Sequence, residues 1–418
     1  MASVKGFHSD RGFGALYEDI YFIHGQRTAF AKYTGALSTV SPTDLGIFTA
    51  KSVFEKSGVR PEKIDQVIAA NLGASSADAL YLPRHIGLYS GVPMQVPALS
   101  IGRLCGSGIE VIGQAAEDIA VGKSSMVLGV GTETMSLYPV VSFGARQGFA
   151  LGQPKFIDFL WEALVDSAAV PMGKTADNIA AKLQLAREAV DEFSLESQKR
   201  FFKAQADGFF KDEIVSVTNT TFEREGLHTR KVRLNKANEF SQDDNARETS
   251  LEKLASLPTI FSKEGPTTAG SASGIVDGAC AVIVASKEIV TKENLQPWGK
   301  ILGMSTVALD PNYMGLGPIP AIDLLLNQIS WSKDEVDLYE INEAFGAQCL
   351  GCVQELALPP EKVNVHGGAI ALGHPLAATG TRLVTTLLRS LKQYGLKRGV
   401  ASACIGGGQG IAMAVETV

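Results

Sequence analysis

Apolar and polar positions follow two rhythms along this chain. A short apolar run from Asp19 to His24 (DIYFIH) predicts a strand, and from about Asp44 to Ser57 apolar residues recur near every 3.6 positions, which predicts a helix. Val59 to Asn71 (VRPEKIDQVIAAN) reads as a turn, a helix start and a buried strand. LCGSGIEVIGQAAEDIAVGK opens with small residues and continues in a helical pattern to Lys123, and SSMVLGVGTETMS is a buried strand that ends in glycine and polar residues. Strands alternating with helices predict βαβ units and a largely parallel sheet, an α/β fold.

From about Met135 to Gly265 the texture changes. Charge rises, glycines fall irregularly, and helical patterns such as EAVDEFSLESQKRFFKAQADGFF dominate, so this stretch reads as an insertion. GPTTAGSASGIVDGACAVIVAS then returns to small residues and a buried strand. The last third repeats the first. Ile329 to Asn342 (ISWSKDEVDLYEIN) follows the plan of Val59 to Asn71: a helix end, a charged turn, an apolar residue followed by Asp, a strand and then Asn. HPLAATGTRLVTTLLRSLKQYGLKRGVASACIGGG likewise parallels CGSGIEVIGQAAEDIAVGKSSMVLGVG. Two copies of one α/β unit would pack face to face with their central helices buried between sheets. Close packing of those helices explains their wealth of Gly, Ala, Ser and Thr.

Composition narrows the function classes. The chain has 418 residues, 45% of them apolar and 20% charged, which fits a folded protein of two or three compact units. The net charge of −6 argues against a nucleic-acid footprint. No run approaches the roughly 18 apolar residues of a membrane span. The five cysteines, Cys105, Cys280, Cys349, Cys352 and Cys404, form an odd, sparse set unlike a disulfide scaffold. The opening MASVKGFHSDRGFGALYEDIYF lacks an apolar h-region and mixes both charge signs, so a reducing cytoplasm is the expected compartment.

The candidate chemistry lies where glycine-rich turns meet helix starts. Cys105, in LCGSGIE, stands at the mouth of a helix, where unpaired N–H groups and partial positive charge favour a thiolate. The same residue also fits a small buried side chain in a glycine-rich turn. His374, in GGAIALGHPLAATG, precedes a proline suited to a first helical turn, and could take a proton from a thiol or serve as a core histidine held by backbone. Cys404 follows an apolar strand and precedes three glycines whose N–H groups suit an oxyanion site or, equally, a tight turn. Asn342, opening NEAFGAQ, could position a water or cap a helix. Cys349 and Cys352 form a CxxC with no second pair, which reads as helix core and not as zinc spacing. His8, His24, His85 and His228 fall in no constellation, and His366 lies near the GGAIALGHP segment in a supporting position.

CGSG, NEAF, GGAIALGHP and CIGGG occur in that order, joined by PMGKTADN, TAGSASGIVDGA and MGLGPIPA. Together they resemble the thiolase family over nearly the whole chain, from about Asp19 to Glu416. The resemblance implies a duplicated thiolase fold of two βαβαβαββ halves in five α-β-α-β-α layers with an inserted loop domain. It divides the chain into an N-terminal extension (1–18), an N-terminal half (19–134 and 265–290), a CoA-binding insertion (135–264) and a C-terminal half (291–418). It implies an acyl-CoA C-acyltransferase that makes or cleaves 3-oxoacyl-CoA through an acyl-cysteine. Acyl-CoA and CoA are its partners, with no metal and no other cofactor, and the assembly is a homodimer or homotetramer.

Site roles follow from the same resemblance. Cys105 is acylated, His374 activates it, and Cys404 is the acid and base at the α-carbon. Asn342 with His374 forms one oxyanion site, and the N–H groups of Cys105 and Gly406 form the other. Ser273 lies near the pantetheine, Arg247 against the adenine, and Met172, Met314 and Phe345 line the acyl pocket. Several positions depart from the usual pattern: Pro171 precedes Met172 where short-chain enzymes often carry His, Gly346 replaces Ala, HPLAATG replaces HPIGASG, and His366 stands where Asn is commoner. These departures argue against an enzyme dedicated to acetoacetyl-CoA and for a broader or unusual range of 3-oxoacyl-CoA substrates, acetoacetyl-CoA among the candidates. Two other readings are a ketoacyl-synthase-type enzyme, which would carry a second His at position 404, and a non-catalytic acyl-CoA-binding subunit, which would not need the full Cys–Asn–His–Cys set.

Overall fold

The computed structural model describes residues 2–418. The first half runs β3 (Ile20–Thr28), α1 (Pro42–Ser57), β4 (Gln66–Ala70), α2 (Leu82–Tyr89), β5 (Ala98–Ser100), α3 (Ser107–Ala120), β6 (Met126–Thr134) and, after the insertion, β7 (Val276–Ser286), preceded by a hairpin of β1 (Ser3–Ser9) and β2 (Gly12–Glu18). The insertion carries α4 (Met172–Leu183) and α5 (Arg187–Ala206) among short strands and turns. The second half runs β8 (Gly299–Ala308), α6 (Pro318–Ile329), β9 (Leu338–Ile341), α7 (Gly346–Glu355), α8 (Leu376–Tyr394), β10 (Arg398–Ile405) and β11 (Gln409–Thr417). Its third strand is reduced to a single parallel bridge between Tyr339 and Val363.

Three apolar clusters fill the four interfaces between five structural layers, the middle one covering both faces of the central helices. Leu45, Val53 and Ile86 of α1 and α2 pack on Val67, Leu128 and Ile283 of the first sheet. Ile112 and Ala115 of α3 and Leu383, Leu387 and Leu391 of α8 fill the middle, between Val282 of one sheet and Ala401 and Met413 of the other. Ile322 and Leu325 of α6 and Cys349 and Val353 of α7 cover the far face. A sheet of thirteen strands runs through both halves, joined where β3 meets β8 at Phe22–Gly299 and Tyr21–Lys300. The extension is not a loose arm: β2 pairs antiparallel with β8 from Gly12 opposite Val307 to Leu16 opposite Gly303.

The repeat read from the sequence has a structural counterpart in each half. Asp65 accepts hydrogen bonds from Ser125 N and Met126 N at the start of β6. Asp337 does the same for Lys397 N and Arg398 N at the start of β10. The central helices cross at Gly108 of α3 and Gly380 of α8. A Cβ on Gly108 would sit 2.3 Å from Thr381 N, and one on Gly380 would sit 2.2 Å from Ile109 N. Glycine is required there because two backbones touch, and that contact brings the starts of the two helices to one place.

Candidate active site

The first wall is the turn before α3. Leu104 adopts a left-handed backbone (φ +44°), a strained conformation for a leucine, and turns Cys105 out at the helix mouth. Ser107 Oγ accepts from Arg103 N at 2.8 Å and closes the turn. Gly106 admits Ile405 of β10: a Cβ there would lie 2.5 Å from Ile405 Cδ1. The end of β10 therefore rests against the cysteine turn. Cys105 keeps part of its surface open, whereas the other four cysteines are buried.

The helix mouth does not make Cys105 a thiolate. Burial pushes its thiol up to about 11, while N–H groups of Gly406 and of Cys105 itself pull the other way and Glu133 adds to the rise. The expected thiolate is thereby corrected: loss of hydration outweighs the helix terminus, and the resting group is a thiol that needs a base.

His374 is the histidine that the sequence offers for that role. Gly373 turns through φ +93°, and a Cβ there would strike Val276 Cγ1 at 2.3 Å. His374 N donates to Gly274 O at 3.0 Å. The Thr379 hydroxyl donates to Pro375 O at 3.2 Å, so it accepts from His374 Nδ1, 2.5 Å away. That network assigns the proton to Nδ1 and leaves Nε2 as an acceptor. Burial, with Arg382 assisting, lowers the imidazole to about 3, so it stays neutral. Asn342 stands at the end of β9 with Nδ2 3.4 Å from His374 Nε2, and its Oδ1 is buried without a hydrogen-bond partner. It does not cap α7, whose N-cap is Phe345.

Cys404, buried at the end of β10, packs with Met314 and Ala344, against Met172 and Phe345. Burial raises its thiol, and proximity to Cys105 raises it further. The end of β10 thus brings Cys404 toward the Cys105 turn, where Ile405 packs at Gly106. Gly406, Gly407 and Gly408 form the β10–β11 turn, the last two with positive φ. A Cβ on Gly406 would lie 3.2 Å from Met172 Cε. Ser273 and Arg247 line a cleft of about 510 Å³ together with Tyr33, Gln198, Asn245 and Gly274. Gly274 links this cleft to the chamber, because its carbonyl holds His374.

Some neighbours escaped the sequence reading. Glu343 is buried and accepts from Ser197 Oγ, Asn364 Nδ2 and Ile370 N, which ties the NEAF segment to the loop before His374. Thr379 and Glu133 were also passed over, since one threonine or glutamate in an apolar run carries no signal of its own. His366 is not in the chamber: its ring stacks on Phe209 at 3.6 Å and faces Tyr394 at 5.7 Å. Cys349 and Cys352 are buried on α7. Among the described residues no group of three or more His, Cys, Asp or Glu could hold a metal, and no helix is long and apolar enough to cross a membrane.

Residues 20–288 match the family model for the thiolase N-terminal domain and residues 295–417 that for the C-terminal domain. The chain is 43% identical over 405 residues to the mitochondrial 3-ketoacyl-CoA thiolase of Bos taurus, covering 96% of this chain and 99% of that protein. It is 39% identical over 400 residues to an acetyl-CoA acetyltransferase of Chromobacterium violaceum, covering 95% and 99%. The crystal structure of human mitochondrial 3-ketoacyl-CoA thiolase in complex with CoA superposes with a TM-score of 0.90 at 41% identity, covering 98% of each chain. The mitochondrial relatives overturn the expected cytoplasmic location. Free thiols require a reducing compartment, and the cytoplasm is only one such compartment.

Proposed function

The chain belongs to the thiolase family, and on that premise we propose how its residues divide the reaction, the reversible cleavage and condensation of 3-oxoacyl-CoA. In cleavage, Cys105 Sγ attacks the 3-keto carbon while its proton passes to His374 Nε2. The C2–C3 bond breaks, its electron pair goes to C2, and the Cys404 thiol protonates that carbon to give acetyl-CoA. CoA then yields its thiol proton to Cys404, attacks the acyl-cysteine and leaves as the shortened acyl-CoA, and Cys105 recovers its proton from His374. Condensation runs the same steps backward. Two groups are needed because acyl activation and carbanion handling are separate steps, each with a lower barrier than a concerted one.

The reading is supported by Asn342 Nδ2 standing 3.4 Å from His374 Nε2 and by the turn after Cys404, whose Ile405 packs at Gly106 and whose Gly406 N–H faces Cys105. The raised thiols fit it. A neutral Cys404 is the acid that cleavage needs, and a neutral imidazole beside a neutral thiol is a base ready to act. Protonated His374 beside Asn342 would hold the thioester enolate oxygen, and the N–H groups of Cys105 and Gly406 would hold the oxyanion of the acyl step. CoA would lie in the Ser273–Arg247 cleft, on the insertion (135–264), between halves formed by 19–134 with 265–290 and by 291–418. Met172, Met314 and Phe345 would bound the acyl group.

The substrate we propose is 3-oxoacyl-CoA of more than one chain length, in a mitochondrial setting, as for the mitochondrial 3-ketoacyl-CoA thiolases. A homodimer or homotetramer is the proposed assembly, supported by the exposed apolar side chains of Phe143, Leu151, Phe156 and Trp161. Incubation with acetyl-CoA should add an acetyl mass to the intact wild-type protein and none to Cys105→Ala; an acetylated Cys105→Ala protein would refute the nucleophile. Thiolysis rates measured across 3-oxoacyl-CoA lengths should extend beyond acetoacetyl-CoA, and activity confined to that one substrate would refute the broader range.

A further inference from the structure

The repeat assigns counterparts to Asn342, Cys404 and Cys105. Ala70 pairs with Gly131 in the first half as Ile341 pairs with Ser402 in the second, both in parallel register. Asn71 therefore stands where Asn342 stands, and Glu133 where Cys404 stands. The helix crossing at Gly108 and Gly380 extends the match, so that Ala377 of α8 occupies the place of Cys105. The duplicate of the reactive chamber is thus built from Asn71, Ala377 and Glu133.

Glu133 fills that duplicate with its own carboxylate. Oε1 accepts from Asn71 Nδ2 at 2.7 Å, Gly73 N at 3.1 Å and Leu72 N at 3.3 Å. Oε2 accepts from Ala377 N at 3.2 Å, in the first turn of α8. This is the turn that seats His374, through Thr379 and Pro375. The side chain is wholly buried. The titratable groups that face it are Tyr138 and Cys105; Tyr138 also faces Cys105, and its buried hydroxyl has no hydrogen-bond partner. Leu72, Tyr138, Leu376 and Cys105 pack in one cluster over it.

We propose that Glu133 is a positioning residue for acylation: from the duplicate of the active chamber its carboxylate fixes the first turn of α8, and so His374, and sets the charge beneath Cys105. The proposal rests on the acyl-cysteine reading above. Burial pushes the carboxyl up to about 7, so its charge changes across neutral pH. When ionised it opposes ionisation of Cys105, and when removed it no longer does. A glutamine at 133 cannot accept on both sides. Its amide nitrogen would face N–H donors either at Asn71 and Gly73 or at Ala377, leaving that set unpaired.

The test uses the full-length enzyme, with two readouts on two variants. The first is the single-turnover rate of acyl-enzyme formation from acetyl-CoA, followed by intact mass. The second is the pH dependence of iodoacetamide alkylation at Cys105. Glu133→Gln should slow acylation about 10- to 100-fold, as a slightly displaced base does. The same variant should move the alkylation midpoint down by about one pH unit, as loss of a nearby like charge does. Glu133→Asp keeps the charge but withdraws it from Ala377 N, so acylation should slow while the midpoint stays; it carries the test if the glutamine variant does not fold. A merely structural role would lower the melting temperature of both variants and leave the midpoint unmoved. Acylation of either folded variant at the wild-type rate, or a glutamine variant with an unchanged midpoint, overturns the proposal. A wild-type protein that forms no acyl-cysteine overturns instead the function proposed above, and the alkylation curves still decide whether Glu133 acts on Cys105.

Discussion

At the scale of single residues, the chamber keeps its reactive groups neutral until substrate arrives. Cys105 and Cys404 are held as thiols by burial, and His374 is held as imidazole by the same cause. Helix-terminus electrostatics is worth at most about 2 kcal/mol in favourable sites, while full burial can shift a titration by several units. Burial therefore wins, and the base has to sit beside the nucleophile. In the proposed reaction Cys404 acts only after acylation. Cys404→Ala should still accept the acetyl group on Cys105 but should lose exchange of the α-proton of acetyl-CoA with solvent, by at least about 100-fold. The measurement is deuterium uptake into acetyl-CoA by NMR, and rapid exchange in the variant would remove Cys404 from its role.

At the scale of elements, the contact between α3 and α8 decides where both helix starts lie. Gly108→Ala gains about 1 kcal/mol in helix propensity. It also drives a Cβ to 2.3 Å from Thr381 N and 2.7 Å from Gly380 Cα, both backbone atoms that cannot rotate aside. Overpacking of this kind costs about 1–3 kcal/mol, and two backbone clashes put it at the upper end, so the net expectation is a loss of up to about 2 kcal/mol with a larger fall in acylation, since Cys105 and His374 ride on the two helices. Denaturant unfolding and burst-phase acylation measure the two effects, and an unchanged stability would show that the helices part freely. Both glycines were visible in the sequence as small residues in opposed segments, and that pattern foretold close helix packing. Which glycine meets which was not visible, because the crossing point depends on how two distant segments dock.

At the scale of the whole molecule, the hairpin of residues 2–18 completes the second half from the far end of the chain. Without β2, the backbone of β8 from Gly303 to Val307 keeps β11 on one side but loses its partner on the other and presents an open edge to other chains. Deletion of residues 2–18 should lower the melting temperature by roughly 5 °C and promote aggregation on heating, which calorimetry with light scattering would record; an unchanged melting profile would mean the edge is otherwise protected. The sequence by itself determined the α/β class, the duplication and the four motifs that hold Cys105, Asn342, His374 and Cys404, because periodicity and glycine-rich turns are local properties. It passed over Glu133, Glu343 and Thr379, whose meaning lies in partners 244 and 146 residues away or in a proton's direction on one ring. Only the tertiary structure decided that burial raises both thiols and that the end of β10 rests against the Cys105 turn, because hydration is lost, and charges meet, only when distant segments close over one another.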